Sequence, residues 1–352
     1  MKLLREGFTT GTCASAAAKA AAALLTGRSL PDEVDISLPG GKRISMPVEN
    51  YSLEGNAAKA VVKKFAGDDP DITDGVNIVA SVSWSGGEGI AFDAGEGVGT
   101  VTKKGLQIPP GEPAINPVPR EMIKKAVSEI TVKPLRVKLS IPGGEELAKK
   151  TFNPRLGIKG GLSLLGTSGI VRPYSHPAIQ ESLKCALDVA VAGGVNTPIF
   201  TAGNIGTRSA LKQLNVSSEQ VIEVSNEWGF MLDAASQKSI NALLAMGHPG
   251  KLAKLIAGDF DTHSSRSQSA LPVVSSVAAE VLGLQSSDSV TVEGIFTELE
   301  QSDRETLANE LADRIGEAVY KRVNKKFEIA VALVDMQGEV IGHSGNLGLW
   351  NK

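Results

Sequence analysis

The feature that most constrains this chain is a change of rhythm along it. In its second part, short apolar runs stop at loops of small or amide residues and pass at once into helical spacing. Residues 197–202 lead into Gly203-Asn204-Ile205-Gly206 and a helix through Leu214, and residues 221–224 lead into Ser225-Asn226-Glu227 and a helix. A strand followed directly by a helix cannot pair with its predecessor through a hairpin, so repeated strand–loop–helix units predict a parallel, doubly wound sheet. Residues 327–334 close that sheet, and a turn at Gln337-Gly338 returns the chain into an edge strand. Ser302 and Glu305 form a capping box ahead of the helical stripe Leu307, Leu311, Ile315 and Val319.

Before this region the pattern differs. A glycine- and threonine-rich entry precedes a helix over 14–25, and short alternating segments follow at 33–38, 42–48, 58–65, 76–84, 89–94 and 135–141. A helix over 119–130 interrupts them. The expected architecture is therefore mixed α/β and α+β: an α+β domain over 1–145 and a Rossmann-like α/β domain over 146–352. A length of 352 residues suits about two domains.

Composition excludes several classes. Net charge is −3, where a nucleic-acid surface shows a basic excess. No stretch approaches the roughly 18 apolar residues of a spanning helix, so no membrane association is expected. The alanine-rich segment after Cys13 holds Lys19 in its middle and reads as a helix rather than a leader. Cys13 and Cys185 are too few for a disulfide framework, which suits the reducing cytoplasm. Thirty-eight glycines, gathered in short loops, point to several ligand-facing turns.

Four loop regions carry candidate chemistry. Gly7 to Leu25 feeds a hydroxyl-rich turn into a helix N-terminus, where Thr9, Thr10 and Thr12 would donate to a carboxylate or phosphate; an ordinary N-cap has equal claim. Gly95-Glu96-Gly97-Val98-Gly99 lacks the strand–helix frame of a dinucleotide fingerprint, and the proline-rich loop behind it presents Arg120. Gly161 to Thr167 has P-loop spacing with a threonine where the lysine belongs, which argues against a nucleoside-triphosphate hydrolase and disfavours a small-molecule kinase using this loop. Gly166, Thr167 and Ser168, flanked by Arg155, Lys159 and Arg172, instead suit an anionic ligand. With Gly203, Asn204, Gly206, Ser225 and Asn226, that loop is expected at the carboxyl edge of one sheet.

The fourth region, Gly247 to Arg266, concentrates His248, Lys251, Asp261, His263 and Arg266. It matches neither a serine-hydrolase elbow nor a zinc signature. Asp261 and His263 lie two apart, so in extended backbone they share one side. The aspartates of Gly67 to Gly75 miss EF-hand spacing and read as turn and cap residues.

Five stretches, taken together and in order, carry a resemblance: FTTGTCASAAAKAA, AGDDPDITDG, GEGVGTVTKKGL with GEPAINPVPR, NPRLGIKGGLSLLGTSGIVRP, and GHPGKLAKLIAGDFDTHS. They resemble the cobalt-precorrin-5B C1-methyltransferase family of anaerobic cobalamin synthesis. The resemblance implies transfer of a methyl group from S-adenosylmethionine to carbon 1 of a cobalt-bound corrinoid, giving cobalt-precorrin-6A. Cobalt arrives inside the substrate, so no metal ligands are required of the protein. Hand-over to neighbouring pathway enzymes belongs to the same expectation, and oligomeric state carries no signal. The donor is expected at Gly166, Thr167, Ser168, Gly203, Asn204, Gly206, Ser225 and Asn226. The substrate's carboxylate arms are expected at Thr9, Thr10, Thr12, Arg120, Arg155, Lys159, Arg172, Lys251 and Arg266. His263, His248 and Asp261 are the candidates for any proton transfer. A non-catalytic tetrapyrrole carrier is the alternative; it needs a basic cleft but no donor site.

Overall fold

The computed structural model describes residues 4–284 and 289–351. The chain divides into two compact units, Met1–His176 and Pro177–Lys352. The expected boundary at 145 therefore falls short. The ladder pairings of the intervening segment explain why: Ile158–Lys159 pairs with Thr100–Val101, Gly161–Leu162 with Gly97–Val98, and Ile170–Val171 with Gly7–Phe8. Each holds a piece of the later sequence inside the first unit. Single-sequence periodicity cannot see two-residue ladders.

The first unit is built round the helix Thr10–Leu25, of which only its last two residues are not buried. Alanine makes up half of it, and a helix apolar on all sides must be enclosed. One side packs on the strands Ala57–Lys63 and Asn77–Trp84, another on the helix Pro117–Ser128. The small side chain allows both approaches at once. Lys19, the one long residue in the run, donates to the Asp35 carbonyl and to Glu129, each at 2.6 Å. The sheet runs Asn50–Glu54, Ala57–Lys63, Asn77–Trp84, Leu135–Ser140, Ile90–Ala94. Only its last pairing is parallel. All the predicted segments appear; Asn50–Glu54, mostly exposed, was not anticipated.

The second unit has a five-stranded mixed sheet. Its strands are β1 Ile199–Thr201, β2 Val221–Glu223, β3 Ala242–Gly247, β4 Glu328–Val334 and β5 Val340–Ser344. Their order is β2-β1-β3-β4-β5, with β5 the one antiparallel member. Helices Asn204–Gln213 and Trp228–Ala235 follow β1 and β2 directly, as the loop pattern predicts. The central strand β3 escaped sequence reading. All six of its residues are buried, so it has no alternation to betray it. The capping box also fails: the long helix is Gln301–Arg322, capped at Glu300, and Ser302 already lies inside its first turn.

Candidate functional site

The strand order β2-β1-β3 changes direction at β1, and in open parallel sheets ligands bind outside the carboxyl ends at such a point. Gly203 leaves β1 with φ 156° and ψ −172°, a region that only glycine enters at low cost, and open space surrounds the position of its absent side chain. Beneath it, Thr207 bonds Thr201 at 2.7 Å and the Glu223 carboxylate at 3.1 Å, tying the loop to both strands. Gly206 packs against β3, where a side-chain carbon would stand 2.7 Å from the Met246 carbonyl.

Ser225 ends the β2 segment at φ 53°, a left-handed conformation uncommon outside glycine. Asn226 next to it accepts from the Thr262 hydroxyl at 3.3 Å and, through its carbonyl, from the Thr262 amide at 3.2 Å. The Gly203 and Ser225 loops therefore lie at one edge of this sheet, and the segment carrying Asp261 and His263 joins them there through Thr262.

His248 follows β3 as the N-cap of a short helix. Its Nδ1 accepts from the Gly250 amide at 3.0 Å, so Nε2 carries the proton and faces Glu293 at 2.8 Å. Glu293 comes from the helix Val292–Glu298 and was not singled out in the sequence. The carboxylate–imidazole pair expected of Asp261 and His263 is thus made by other residues. Asp261 takes the Arg266 guanidinium and the His263 backbone N–H, while Nδ1 of His263 lies 2.8 Å from the Ser265 hydroxyl. A two-residue spacing favoured the pair, but a turn rather than a strand occupies this stretch.

Two lysines share this edge. Lys251 donates to the Ala202 carbonyl at 2.9 Å, and burial pulls its pKa below the ordinary lysine range. Lys254 is buried, and among the described residues it bonds neutral oxygens, the Thr262 carbonyl at 3.1 Å and the Ser267 hydroxyl at 2.9 Å. A pocket of about 440 Å³ opens beside it, lined by His248, Lys254, Ser264, Ser267, Ser269 and Glu293 among others.

The remaining candidates lie in the first unit. Gly166, Thr167 and Ser168 do not belong to the second unit's sheet at all. Gly166, at φ 141°, lies against Thr9, where a side-chain carbon would stand 2.2 Å from Oγ1. Ser168 bonds its own turn at Ile170, and Thr167 is exposed. The threonines expected to meet a substrate carboxylate are spent on this loop. Thr9 caps Thr12, Thr12 donates to the Gly169 carbonyl at 2.7 Å, and Thr10 donates to the Leu165 carbonyl and accepts from its amide. These polar residues of the helix N-terminus clamp two distant segments together.

The first-unit cations divide. Arg120 donates to Ile115, Glu112 and Pro113 and lies 5.4 Å over the Phe92 ring, so it fixes its own proline-rich loop. Arg172 pairs with Glu6. Arg155 and Lys159 project from neighbouring exposed positions beside the Thr100–Val101 ladder. The glycines of Gly95–Gly99 serve packing: a side chain at Gly97 would meet the Ile141 carbonyl at 2.0 Å. Acids of the Gly67–Gly75 turn each hold a named donor, Arg5 for Asp68, Tyr174 for Asp69, Lys64 for Asp71 and Ala66 for Asp74. Burial pushes the thiols up, Cys13 to about 12 and Cys185 to about 11. Among the described residues no helix is long and apolar enough to cross a membrane.

The second unit is thus a mixed α/β sheet with an oriented histidine, two lysines and open glycine backbone near the carboxyl ends of its strands. The chain is a member of the CbiD family: its family model matches residues 1–173, and the model of the CbiD C-terminal domain matches 261–345. A cobalt-precorrin-5B C(1)-methyltransferase of Syntrophotalea carbinolica is 49% identical over 99% of both chains. That of Methanocaldococcus jannaschii is 40% identical over 100% of this chain and 98% of its own. A crystal structure of a cobalamin biosynthesis protein (cbiD) from Archaeoglobus fulgidus is 34% identical, covers 75% of this chain and 83% of that one, and superposes at a TM-score of 0.40.

Proposed function

We propose that this chain transfers a methyl group from S-adenosylmethionine to carbon 1 of cobalt-precorrin-5B, giving cobalt-precorrin-6A in cobalamin synthesis. The observation that carries the reading is the end-to-end match to a methyltransferase of that name at 49% identity. The reaction is an in-line displacement. An electron pair on the ring carbon forms the new carbon–carbon bond, and the sulfur–methyl pair remains on sulfur as a neutral thioether. No side-chain nucleophile is needed, and holding the two reactants in line is worth roughly 7–11 kcal/mol.

The second-unit crevice suits the donor. Gly203 leaves backbone open to close approach, and Asn204 and Asn226 lie beside it with amides able to bond a ribose or amino-acid group. The Gly166 loop supports no such role, since it is packed on Thr9. Arg155 and Lys159 remain suited to the carboxylate arms of the macrocycle, as does Lys251 on the second unit. His248, oriented by Glu293, is the better-placed group for holding or moving a proton. Cobalt enters as part of the substrate, and we place the enzyme in the cytoplasm.

Anaerobic incubation with cobalt-precorrin-5B and donor deuterated at the methyl group tests the reading. The product is expected to carry the label by mass spectrometry. A protein that retains the macrocycle but leaves it unlabelled would be a carrier.

A further inference from the structure

We infer that the pocket between Lys254 and Glu293 is the seat of a zwitterionic α-amino acid group, the methionine end of the methyl donor. This rests on the methyltransferase reading above and goes further, by assigning one end of the ligand to residues outside the loop motifs.

Lys254 is 9% exposed, yet both of its hydrogen-bond partners are uncharged. An ammonium has three protons to donate and is costly to bury without a counter-charge. No carboxylate forms an ion pair with it among the described residues. Among the described residues its ammonium thus lacks a counter-charge, and an anion entering the pocket that it lines would supply one.

The opposite charge is in the same pocket. Glu293 spends Oε2 on Nε2 of His248 and keeps Oε1 for another donor. Ser264, Ser267, Ser269 and Thr291 line the space with hydroxyls that both donate and accept. Among the described residues, a cation with only neutral partners, a carboxylate with a second oxygen and neutral hydroxyls match an α-carboxylate and an α-ammonium. A plain anion would satisfy Lys254 but meet Glu293 unfavourably. About 440 Å³ falls within the usual span of small-molecule pockets.

Position agrees with chemistry. His248 is the first residue beyond β3, and Gly247 is so close to Ala202 that a side-chain carbon on it would lie 2.6 Å from Cβ of that alanine. Lys251 reaches across to the Ala202 carbonyl. The pocket's His248 and Gly250 flank residues that contact Ala202, the residue before the Gly203 loop, so an extended ligand would reach from one to the other.

Calorimetric titration of the full chain with S-adenosylhomocysteine and with 5′-methylthioadenosine, which lacks the amino-acid end, tests this. Charge-assisted contacts predict that Lys254→Met and Glu293→Gln each weaken S-adenosylhomocysteine about 10- to 100-fold. Binding of 5′-methylthioadenosine should stay within about twofold under the same comparison. Unchanged S-adenosylhomocysteine affinity in both variants overturns the assignment. A raised Michaelis constant for the macrocycle alone would give Lys254 to a substrate carboxylate and overturn it too. Equal loss of both ligands, with thermal melts matching the parent, also counts against it. If the unaltered chain binds neither ligand, the donor reading itself fails, a result distinct from all of these.

Discussion

Gly166→Ala discriminates sharply between a ligand loop and a structural clamp. At φ 141° an L-residue is strained, and its Cβ would sit 2.2 Å from Oγ1, 2.6 Å from Cβ and 2.9 Å from Cγ2 of Thr9. The backbone term costs about 1–2 kcal/mol and the forced repacking about 1–3 kcal/mol, together about 2–5 kcal/mol. For a unit of this size that lowers the melting temperature by roughly 5–15 °C. Differential scanning calorimetry reads the shift directly. Thr9→Ala removes two of the three clashing atoms but also the N-cap, worth about 1 kcal/mol. The double variant should therefore lose less than the two single variants summed, by about 1 kcal/mol or more. A melting temperature within about 2 °C of the parent for Gly166→Ala would refute the clamp. Simple additivity of the pair would refute the contact with Thr9.

Two further predictions follow from the charged groups. The Arg43 hydrogen bond, then that of Lys19, holds Glu129 at about 2 against an ordinary 4.5. A carboxyl depressed in the fold stabilises fully above its ordinary value and loses that contribution as pH falls through the folded one. Urea midpoints should therefore fall between about pH 4.5 and 2, and Glu129→Gln should flatten that part of the curve; an unaltered slope contradicts the pairing. His263 bonds Ser265 at 2.8 Å, so His263→Ala is expected to lower kcat by less than tenfold, whereas loss of a general base costs about a hundredfold or more. A hundredfold fall in single-turnover rate would restore His263 as the base.

Local chemistry was legible in the chain because it needs only neighbours. Lys19 within an alanine run marked a helix, the loops after residues 202 and 224 marked parallel strands, and the spaced aspartates marked a turn. The fully buried strand Ala242–Gly247 left no such trace, because burial on both faces erases alternation. Partnership across distance was also silent. Thr10 and Leu165 meet 155 residues apart, and His248 and Glu293 meet 45 apart. A glycine and threonine motif therefore reads equally as a ligand cradle or a clamp until the fold shows where its hydrogen bonds go. Sequence order sets which groups exist and what each can donate or accept. Only the tertiary structure decides which donors are already spent, and so which remain for a ligand.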